Sequence, residues 1–407
     1  MSSKAKSPFE TLAKAGMHTQ EQLMKVKKAN HTFFIGLPRE ISLQENRISL
    51  TPDAVALLVR QGHEVFVETK AGLGSKFADK QYSEAGAKIV YSPEEVYKAD
   101  IILKIEPPTL DEMQHFRPGQ TLICALQVGH LKKEFIDALL HKRVTALAWE
   151  FIEDKVGGMP IIRGMSEIAG STVMLIAAEY LSSVHDGKGI ILGGITGVPP
   201  TKVVIIGAGT VAEYAGRAAL SLGAEIQVFD NHLYKLRRIK HTLGHQFYTS
   251  TIDTVTLADS LKTADVVIGA LRAEKGKARH VVSEEMVSEM KPNSLIIDLS
   301  IDQGGCIATS EITTHAKPIF RKYDVIHYCV PNVASRVAHT ATTALSNIFT
   351  PTILRAAEEG GVEEMIFTHK WFMKGVYTYK GGLTNESVAG KFGMKFKNIE
   401  LLLAARV

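Results

Sequence analysis

The sequence predicts an α/β protein made of two Rossmann-like, doubly wound domains, the first of which is discontinuous in sequence. The chain has 407 residues, more than one hydrophobic core usually organises, so two domains are expected. Short apolar runs typical of buried strands alternate with helical patterns, and such alternation predicts parallel sheets. A long helical pattern at Thr340–Ala357 follows the second unit, and we expect it to return the chain to the first domain.

The composition excludes several classes of protein. Apolar residues make up 45% of the chain and charged residues 22%, the balance of a globular protein. The formal net charge is +4 and no basic run is interleaved with aromatic residues, so no nucleic-acid partner is expected. No apolar stretch reaches the roughly 18 residues that cross a membrane, and the N-terminus lacks the apolar core of a signal peptide. We therefore expect a soluble cytoplasmic protein without a membrane span.

The cysteines give no sign of a disulfide framework or a metal site. Cys124, Cys306 and Cys329 lie far apart in apolar or glycine-rich surroundings and lack the spacing of metal ligands. They are typical of reduced intracellular thiols, and no metal is expected.

The predicted first domain comprises residues 32–165 and 339–407. It follows an N-terminal helical extension over residues 1–31, which is lysine-rich and either packs against a partner subunit or forms a solvated arm. Its predicted elements are a strand at Thr32–Leu37, a helix at 52–61, a strand at Glu64–Val67, a helix near 80–86, and strands at Lys88–Val90, Ile101–Ile105 and Thr121–Ala125.

Residues 166–338 are predicted to form a nucleotide-binding Rossmann domain. An apolar run at Gly170–Val184 predicts a helix, and the glycine-rich residues 188–198 after it predict a loop. The predicted strands are Lys202–Ile206, Glu225–Phe229, Val266–Ala270 and Ser294–Leu299.

A glycine motif stands between the first of these strands and a helical pattern that runs to Leu222. The strand leads directly into Gly207-Ala-Gly209, followed by Thr210 and Val211. In such a turn the first glycine allows the tight bend, and the second lets the backbone approach a pyrophosphate. The phosphates lie at the N-terminus of the helix, where free N–H groups favour negative charge. The alternative is a glycine turn without a ligand.

Asp230 ends the next strand, about twenty residues after the glycines, where a carboxylate hydrogen-bonds the ribose hydroxyls and repels a 2′-phosphate. The motif therefore predicts NAD rather than NADP as the cofactor. Lys235 and the Arg237-Arg238 pair either contact the cofactor or form a solvated basic face.

Two segments near the start of the first domain, Gly36-Leu-Pro-Arg-Glu40 and Glu45-Asn-Arg-Ile-Ser-Leu-Thr-Pro52, are similar to segments of one family. This is the family of alanine dehydrogenase and the NAD-binding subunit of nicotinamide nucleotide transhydrogenase. The resemblance implies that Arg47 binds the substrate carboxylate, and a guanidinium offers such a group a bidentate fork. The alternative for Arg47 is a surface salt bridge.

The segment Ile297-Asp-Leu-Ser-Ile-Asp-Gln-Gly-Gly-Cys306 resembles alanine dehydrogenase rather than transhydrogenase. The resemblance implies that Asp302 is the catalytic aspartate beside the nicotinamide and that Asp298 is structural. It also implies a loop at Tyr328–Val333 that closes over the nicotinamide end. The further cofactor contacts that it implies are Ser166, Leu271, Leu299, Ser300, Ile301, Val330, Asn332 and Val333.

The chain departs from the family at two positions of the substrate site. Active alanine dehydrogenases have a substrate-binding lysine where this chain has Glu106, and a catalytic histidine where it has Gln127. Glu106 repels a 2-oxo acid unless it is protonated or paired with Arg47. Gln127 hydrogen-bonds but cannot carry a proton. His130 either replaces the histidine through a shifted loop or is a helix-start or surface residue.

The resemblance implies an NAD-dependent oxidoreductase that deaminates L-alanine, or a related amino acid, to the 2-oxo acid and ammonium. A basic side group on the substrate could pair with Glu106. Two alternatives remain open: a transhydrogenase-like NAD(H)-binding subunit, and a non-catalytic NAD-binding regulator. The family also implies a homo-oligomer, commonly a hexamer, with the helix near 170–184 at an interface.

Overall fold

The protein folds around two β-sheets, as the sequence predicts. The computed structural model describes residues 31–42, 44–127, 131–154, 156–272 and 280–404. The predicted N-terminal extension lies outside the described residues except for His31. In chain order the strands are β1 (Phe34–Leu37), β2 (Glu64–Glu68), β3 (Lys88–Val90), β4 (Ile101–Leu103), β5 (Thr121–Cys124), β6 (Thr145–Ala148), β7 (Lys202–Ile206), β8 (Glu225–Phe229), β9 (Tyr248–Ser250), β10 (Val266–Gly269), β11 (Leu295–Asp298), β12 (Ile319–Lys322), β13 (Val325–Tyr328), β14 (Val376–Tyr379) and β15 (Gly382–Leu383).

Helices separate most of these strands. In chain order they are α1 (Pro52–Arg60), α2 (Asp79–Glu84), α3 (Pro93–Val96), α4 (Leu110–Gln114), α5 (Lys133–His141), α6 (Pro160–Leu181), α7 (Thr210–Ser221), α8 (Leu233–Leu243), α9 (Thr254–Thr263), α10 (Glu284–Ser288), α11 (Ala338–Glu358), α12 (Val362–Thr368), α13 (Lys370–Met373), α14 (Glu386–Phe392) and α15 (Ile399–Ala404).

Each sheet has a doubly wound parallel core. The eight-stranded sheet has the order β15-β14-β6-β5-β4-β1-β2-β3, and the seven-stranded sheet has the order β12-β13-β11-β10-β7-β8-β9. In both, the first strand of the unit lies in the centre and the chain winds outward to either side, which is the Rossmann order. The switch points of such sheets, at the carboxyl ends of the central strands, are where ligands bind.

Strand β7 shows how alternation builds a core on both faces of a sheet. Val203 and Ile205 pack into one hydrophobic cluster, while Val204 and Ile206 pack into another on the opposite face. All four side chains are buried. A strand covered on both faces reads as a continuous apolar run, which is why the sequence predicted its bounds.

Strands that the sequence analysis did not predict extend both sheets: the parallel strands β6, β9 and β13, and the antiparallel strands β12, β14 and β15. Strands β12 and β13 form a hairpin whose turn residues, Tyr323 and Asp324, have φ of 53° and 57°. Strands β14 and β15 form another, with Lys380 and Gly381 at φ of 46° and 84°. Positive φ at both turn residues matches the twist of a two-residue hairpin. Neither turn has the Asn-Gly or Asp-Gly sequence that signals a hairpin, so the pattern missed them.

The prediction that a helix begins at Gly170 was wrong, because α6 already begins at Pro160. Proline suits the first turn of a helix, where its missing N–H has no partner to lose. Gly170 instead lies where α6 meets α7, and a Cβ there would stand 2.4 Å from the carbonyl oxygen of Val211. The glycine thus marks a close helix contact rather than a helix start.

Helix α6 is long and apolar enough to cross a membrane by those two measures alone. Its residues Val173, Met174, Ile176 and Ala177 are buried in the same cluster as β7, which is the packing of a core helix.

Candidate functional site

The turn after β7 leaves room for a phosphate chain. Gly207 has φ of +109°, and a Cβ there would stand 2.5 Å from the carbonyl oxygen of Ala270, so the turn requires glycine. Gly209 has φ of −82°, and a Cβ there would meet no atom within 4 Å. The packing of the protein does not require glycine at position 209. A pyrophosphate that approaches the backbone closely would require it. The turn therefore fits a dinucleotide.

Helix α7 begins immediately beside this space. Thr210 and Val211 are its first residues and both are half-buried. Gly209, which precedes them, has no side chain to cap the first N–H groups, so those groups remain available to an anion. Ser166 is half-buried on α6, about one turn before the contact that Gly170 makes with α7.

Asp230 closes this site from the end of β8. Its Oδ2 accepts a hydrogen bond from the N–H of Ala208 at 2.8 Å, and its Oδ1 accepts one from the N–H of His232 at 2.8 Å. Burial opposes ionisation, but these bonds, with the His232 ring and Lys235, outweigh it and lower the pKa of Asp230. The Nζ of Lys235 lies 3.9 Å from Oδ2. The carboxylate is therefore charged and fixed to the glycine turn.

The predicted nicotinamide contacts follow strands β10 and β11. The Ser300 hydroxyl donates to the carbonyl oxygen of Leu271 at 2.8 Å, which ties the ends of the two strands together. Leu271 and Leu299 are half-buried and Ile301 is buried. Asp302 is exposed on the single turn Ile301–Gln303.

Asp298 supports this segment from below. Its buried carboxylate accepts hydrogen bonds from the N–H of Ser300 at 3.0 Å, the N–H of Cys306 at 3.0 Å and the Ser310 hydroxyl at 2.8 Å. These contacts hold the chain on both sides of Asp302, in keeping with the structural role expected for Asp298.

The loop after β13 contacts the segment that follows β1 of the other sheet. Val330 and Val333 are buried, and Asn332 between them has φ of 60°. The Asn332 side-chain amide donates to the Oε2 of Glu45, from the other sheet's unit, at 2.6 Å. The Ser335 hydroxyl donates to the carbonyl oxygen of Gln44 at 2.7 Å. The predicted cofactor loop thus lies directly against the predicted substrate segment.

Arg47 is buried in an ion pair and does not form a surface salt bridge. It is 5% exposed. Its Nε and Nη2 donate to the two oxygens of Glu45 at 2.8 and 2.6 Å. Burial opposes both charges, but the pair outweighs it, raising the pKa of Arg47 and lowering that of Glu45. Nη1 faces the sulfur of Met165 at 3.3 Å.

Glu106 and Gln127, the two residues that depart from the family, contact each other. The Gln127 side-chain amide donates to the Oε2 of Glu106. Burial, with repulsion from Glu45 and Glu40, outweighs the attraction of Arg47 and raises the pKa of Glu106 to about 7. With a pKa near 7, the Glu106 carboxyl group changes its charge near neutral pH. Gln127, its partner, has a backbone φ of 48°.

A buried ion-pair cluster beside Glu106 was missed by the sequence reasoning. The Nζ of Lys104 lies 2.9 Å from Glu112 and 3.2 Å from Glu40, and Tyr97 donates to Glu112 at 2.9 Å. Glu40 also accepts the N–H of Ile105 at 2.6 Å. Glu40 lies in the segment Gly36-Leu-Pro-Arg-Glu40 and Lys104 in the predicted strand Ile101–Ile105, but the sequence does not reveal that these charged residues are buried.

The remaining predictions concern His130, a metal site and the cysteines. His130 lies outside the described residues. Within the described ranges, no group of histidine, cysteine and acidic side chains is arranged to hold a metal ion. The three cysteines are buried and unpaired by disulfides.

The two sheets, the glycine turn and Asp230 together define an NAD-binding protein built from two Rossmann-like units. The particular family follows from its sequence. Residues 36–169 match the N-terminal domain of the alanine dehydrogenase/PNT family, and residues 173–386 match its C-terminal domain. The chain belongs to this family.

Named relatives of the chain include two bacterial alanine dehydrogenases. The enzyme of Bacillus subtilis is 39% identical over 370 residues, which cover 91% of this chain and 97% of the relative. That of Mycolicibacterium smegmatis is 37% identical over 371 residues, covering 91% and 100%.

Solved structures agree with this. An L-alanine dehydrogenase matches with a TM-score of 0.83 and 33% identity, covering 88% of this chain and 99% of its own. A transhydrogenase from Sinorhizobium meliloti matches with a TM-score of 0.75, covering 87% and 99%, but at 23% identity it supports the fold alone.

Proposed function

We propose that the protein catalyses the NAD-dependent oxidative deamination of L-alanine, or a related L-amino acid, to the 2-oxo acid and ammonium. The observation that carries this is the contact of Asn332 with Glu45, which sets the cofactor loop against the ion pair of Arg47. Dehydrogenation requires the substrate Cα and the cofactor to meet in one water-poor cleft. The similarity to alanine dehydrogenases supports the same reaction.

The residues divide between cofactor and substrate. Gly207, Gly209 and the start of α7 would hold the pyrophosphate, and Asp230 would hold the ribose. When bound, the nicotinamide accepts a hydride from the substrate or returns it. Arg47 would orient the substrate carboxylate with the Nη1 nitrogen that Glu45 leaves uncovered. Asp302, exposed beyond β11, would steady the cationic nitrogen of the imine.

The domains have matching roles in this proposal. Residues 32–165 and 339–407 would form the substrate domain, and residues 166–338 the NAD-binding domain. A homo-oligomer, a hexamer by analogy with the family, and a cytoplasmic location belong to the same proposal.

The departures at Glu106 and Gln127 favour a second candidate, an NAD-binding protein without dehydrogenase turnover, transhydrogenase-like or regulatory. The test is the near-ultraviolet absorbance of NADH with purified protein, NAD and a panel of L-amino acids, and in reverse with NADH, ammonium and 2-oxo acids. Turnover with alanine or a relative supports the dehydrogenase. Silence across the panel, with NADH binding retained by fluorescence, contradicts it and favours the second candidate.

A further inference from the structure

Polar side chains follow four adjacent parallel strands at one edge of the eight-stranded sheet. In the spatial order β6-β5-β4-β1, these side chains are Glu150, Gln127, Glu106 and Glu40. The carboxyl ends of parallel strands meet at the same edge, which is the ligand edge of an open α/β sheet. Three carboxyl groups and one amide therefore crowd the place where a substrate of this unit binds.

Among the described residues, the buried cations Arg47 and Lys104 near this edge are each held in an ion pair. Arg47 is held by both oxygens of Glu45, and Lys104 lies within ion-pair distance of Glu40 and Glu112. Glu150 accepts the N–H groups of Leu126 and Gln127 at 2.7 and 3.1 Å. These contacts fix Glu40, Glu45 and Glu150 in structural roles.

Glu106 differs from Glu40 and Glu45, which pair with cations, and from Glu150, whose Oε1 accepts two backbone N–H groups. Within the described ranges no ion pair involves it, and its hydrogen-bond partner is the neutral amide of Gln127. The charged and titratable groups that face it are Glu45 and Arg47 from the segment before α1, and Glu40 from the end of β1. A half-buried carboxylate outside an ion pair, at the ligand edge of the sheet, is suited to receive a cation or a proton from the ligand.

We propose that Glu106 is the residue that takes and returns protons during the deamination, and that Gln127 positions it. This inference rests on the proposed function, since an amino acid must lose a proton from its α-ammonium group before a hydride can leave Cα. The Gln127 amide does not ionise, so we assign the proton transfer to its partner, Glu106. A group whose pKa lies near 7 is well matched to proton transfer at neutral pH.

In the oxidative direction, Glu106 carries two protons in succession. The Glu106 carboxylate takes one proton from the α-ammonium. The hydrogen on Cα then leaves with the electron pair of its bond, as a hydride that bound NAD would accept, and the nitrogen lone pair forms the C=N bond. Glu106 releases that proton to solvent, then takes a proton from the water that adds to the iminium carbon. It gives this second proton to the nitrogen, the C–N bond breaks, and the ammonia takes the hydroxyl proton as the C=O bond forms. The products are the 2-oxo acid, ammonium and one free proton.

The experiment compares kcat/KM against pH for the wild type, Glu106→Gln, Glu106→Asp and Glu64→Gln. We expect wild-type oxidation to rise with pH through a limb near 7, and Glu106→Gln to lose activity by about a hundredfold or more. Glu106→Asp keeps a carboxyl group and should keep the limb, shifted in position. Glu64, exposed at the opposite end of β2, is the control, and its variant should keep the wild-type profile. Retained NADH fluorescence shows that each variant is folded.

Gln127→Leu tests the positioning role. The Gln127 amide lowers the pKa of Glu106, so its removal should move the limb to higher pH, which loss of packing alone does not do. Wild-type kcat/KM and an unmoved limb in Glu106→Gln would overturn the inference and leave the dehydrogenase intact. Absence of turnover in the wild type, with NADH bound, overturns the dehydrogenase and this inference together.

Discussion

A hydrogen bond of 2.6 Å between the Asn332 amide and the Glu45 carboxylate links the segment that follows β13 to the segment that follows β1. The same carboxylate holds both Nε and Nη2 of Arg47. The loop predicted to contact the nicotinamide and the arginine predicted to bind substrate therefore share one side chain. Any movement of the loop acts directly on the ion pair.

This sharing predicts the effect of Glu45→Gln. The change leaves Arg47 buried without its counter-ion and should lower the free energy of unfolding by about 3–5 kcal/mol. Urea denaturation followed by tryptophan fluorescence measures it. Glu84→Gln, which breaks the exposed Lys80–Glu84 pair, is the control and should leave stability unchanged. Equal stability of Glu45→Gln and the wild type would show that the buried pair is not needed.

The two glycines of the dinucleotide turn should fail in different ways. Gly207→Ala places a Cβ 2.5 Å from the Ala270 carbonyl at φ of +109°, so it should lower the melting temperature and weaken NADH binding together. Gly209→Ala meets no protein atom within 4 Å, so it should fold normally and weaken only NADH binding. Thermal unfolding and NADH fluorescence titration separate the two. Full NADH affinity in Gly209→Ala would place the phosphates elsewhere.

The charge of Asp230 should set the choice of cofactor. Asp230→Asn removes the carboxylate that meets the ribose, and we expect NAD affinity to fall about ten- to a hundredfold. Affinity for NADP should fall less or rise, because the repulsion of a 2′-phosphate is gone. Asp259→Asn, an exposed change on α9 in the same domain, is the control. An unchanged ratio of the two affinities contradicts the role of Asp230.

The parts of the fold that periodicity determines were predictable from the sequence. Strands such as Lys88–Val90 and Lys202–Ile206 were predicted with their observed bounds, because apolar runs between turn signals mark buried strands. The start of α6 and the strands β6, β9, β12, β13, β14 and β15 were not predicted. The conformation of these segments depends on packing against residues that are distant in sequence, and the local sequence pattern carries no information about that packing.

The candidate site divides in the same way. The dinucleotide turn is a local motif, so spacing alone predicted Gly207, Gly209 and Asp230, and the structure places Asp230 against this turn. The partnership of Glu106 with Gln127 could not, because β4 and β5 become neighbours only in the sheet. The sequence showed two lost residues, whereas the structure shows that their replacements form one hydrogen-bonded pair.

The pair makes a prediction about stability as well as catalysis. The pKa of Glu106 rises from 4.5 to about 7 on folding, so the folded protein binds this proton more tightly than the unfolded chain does. Its stabilising effect is present in full below 4.5 and is lost as the pH rises through 7. Glu106→Gln stays neutral, so it should be more stable than the wild type by about 1–3 kcal/mol near pH 8, and similar to it near pH 5.

Urea denaturation of the two proteins at both pH values measures this difference. Glu64→Gln, an exposed change on β2, is the control and should give no pH-dependent gain. A gain for Glu106→Gln at about pH 8 that comes with a loss of turnover would mean that the site keeps an ionisable carboxyl group at the expense of stability, as catalytic groups commonly do. A gain of equal size near pH 5 would contradict the titration of Glu106, because the proton is already bound there in the wild type.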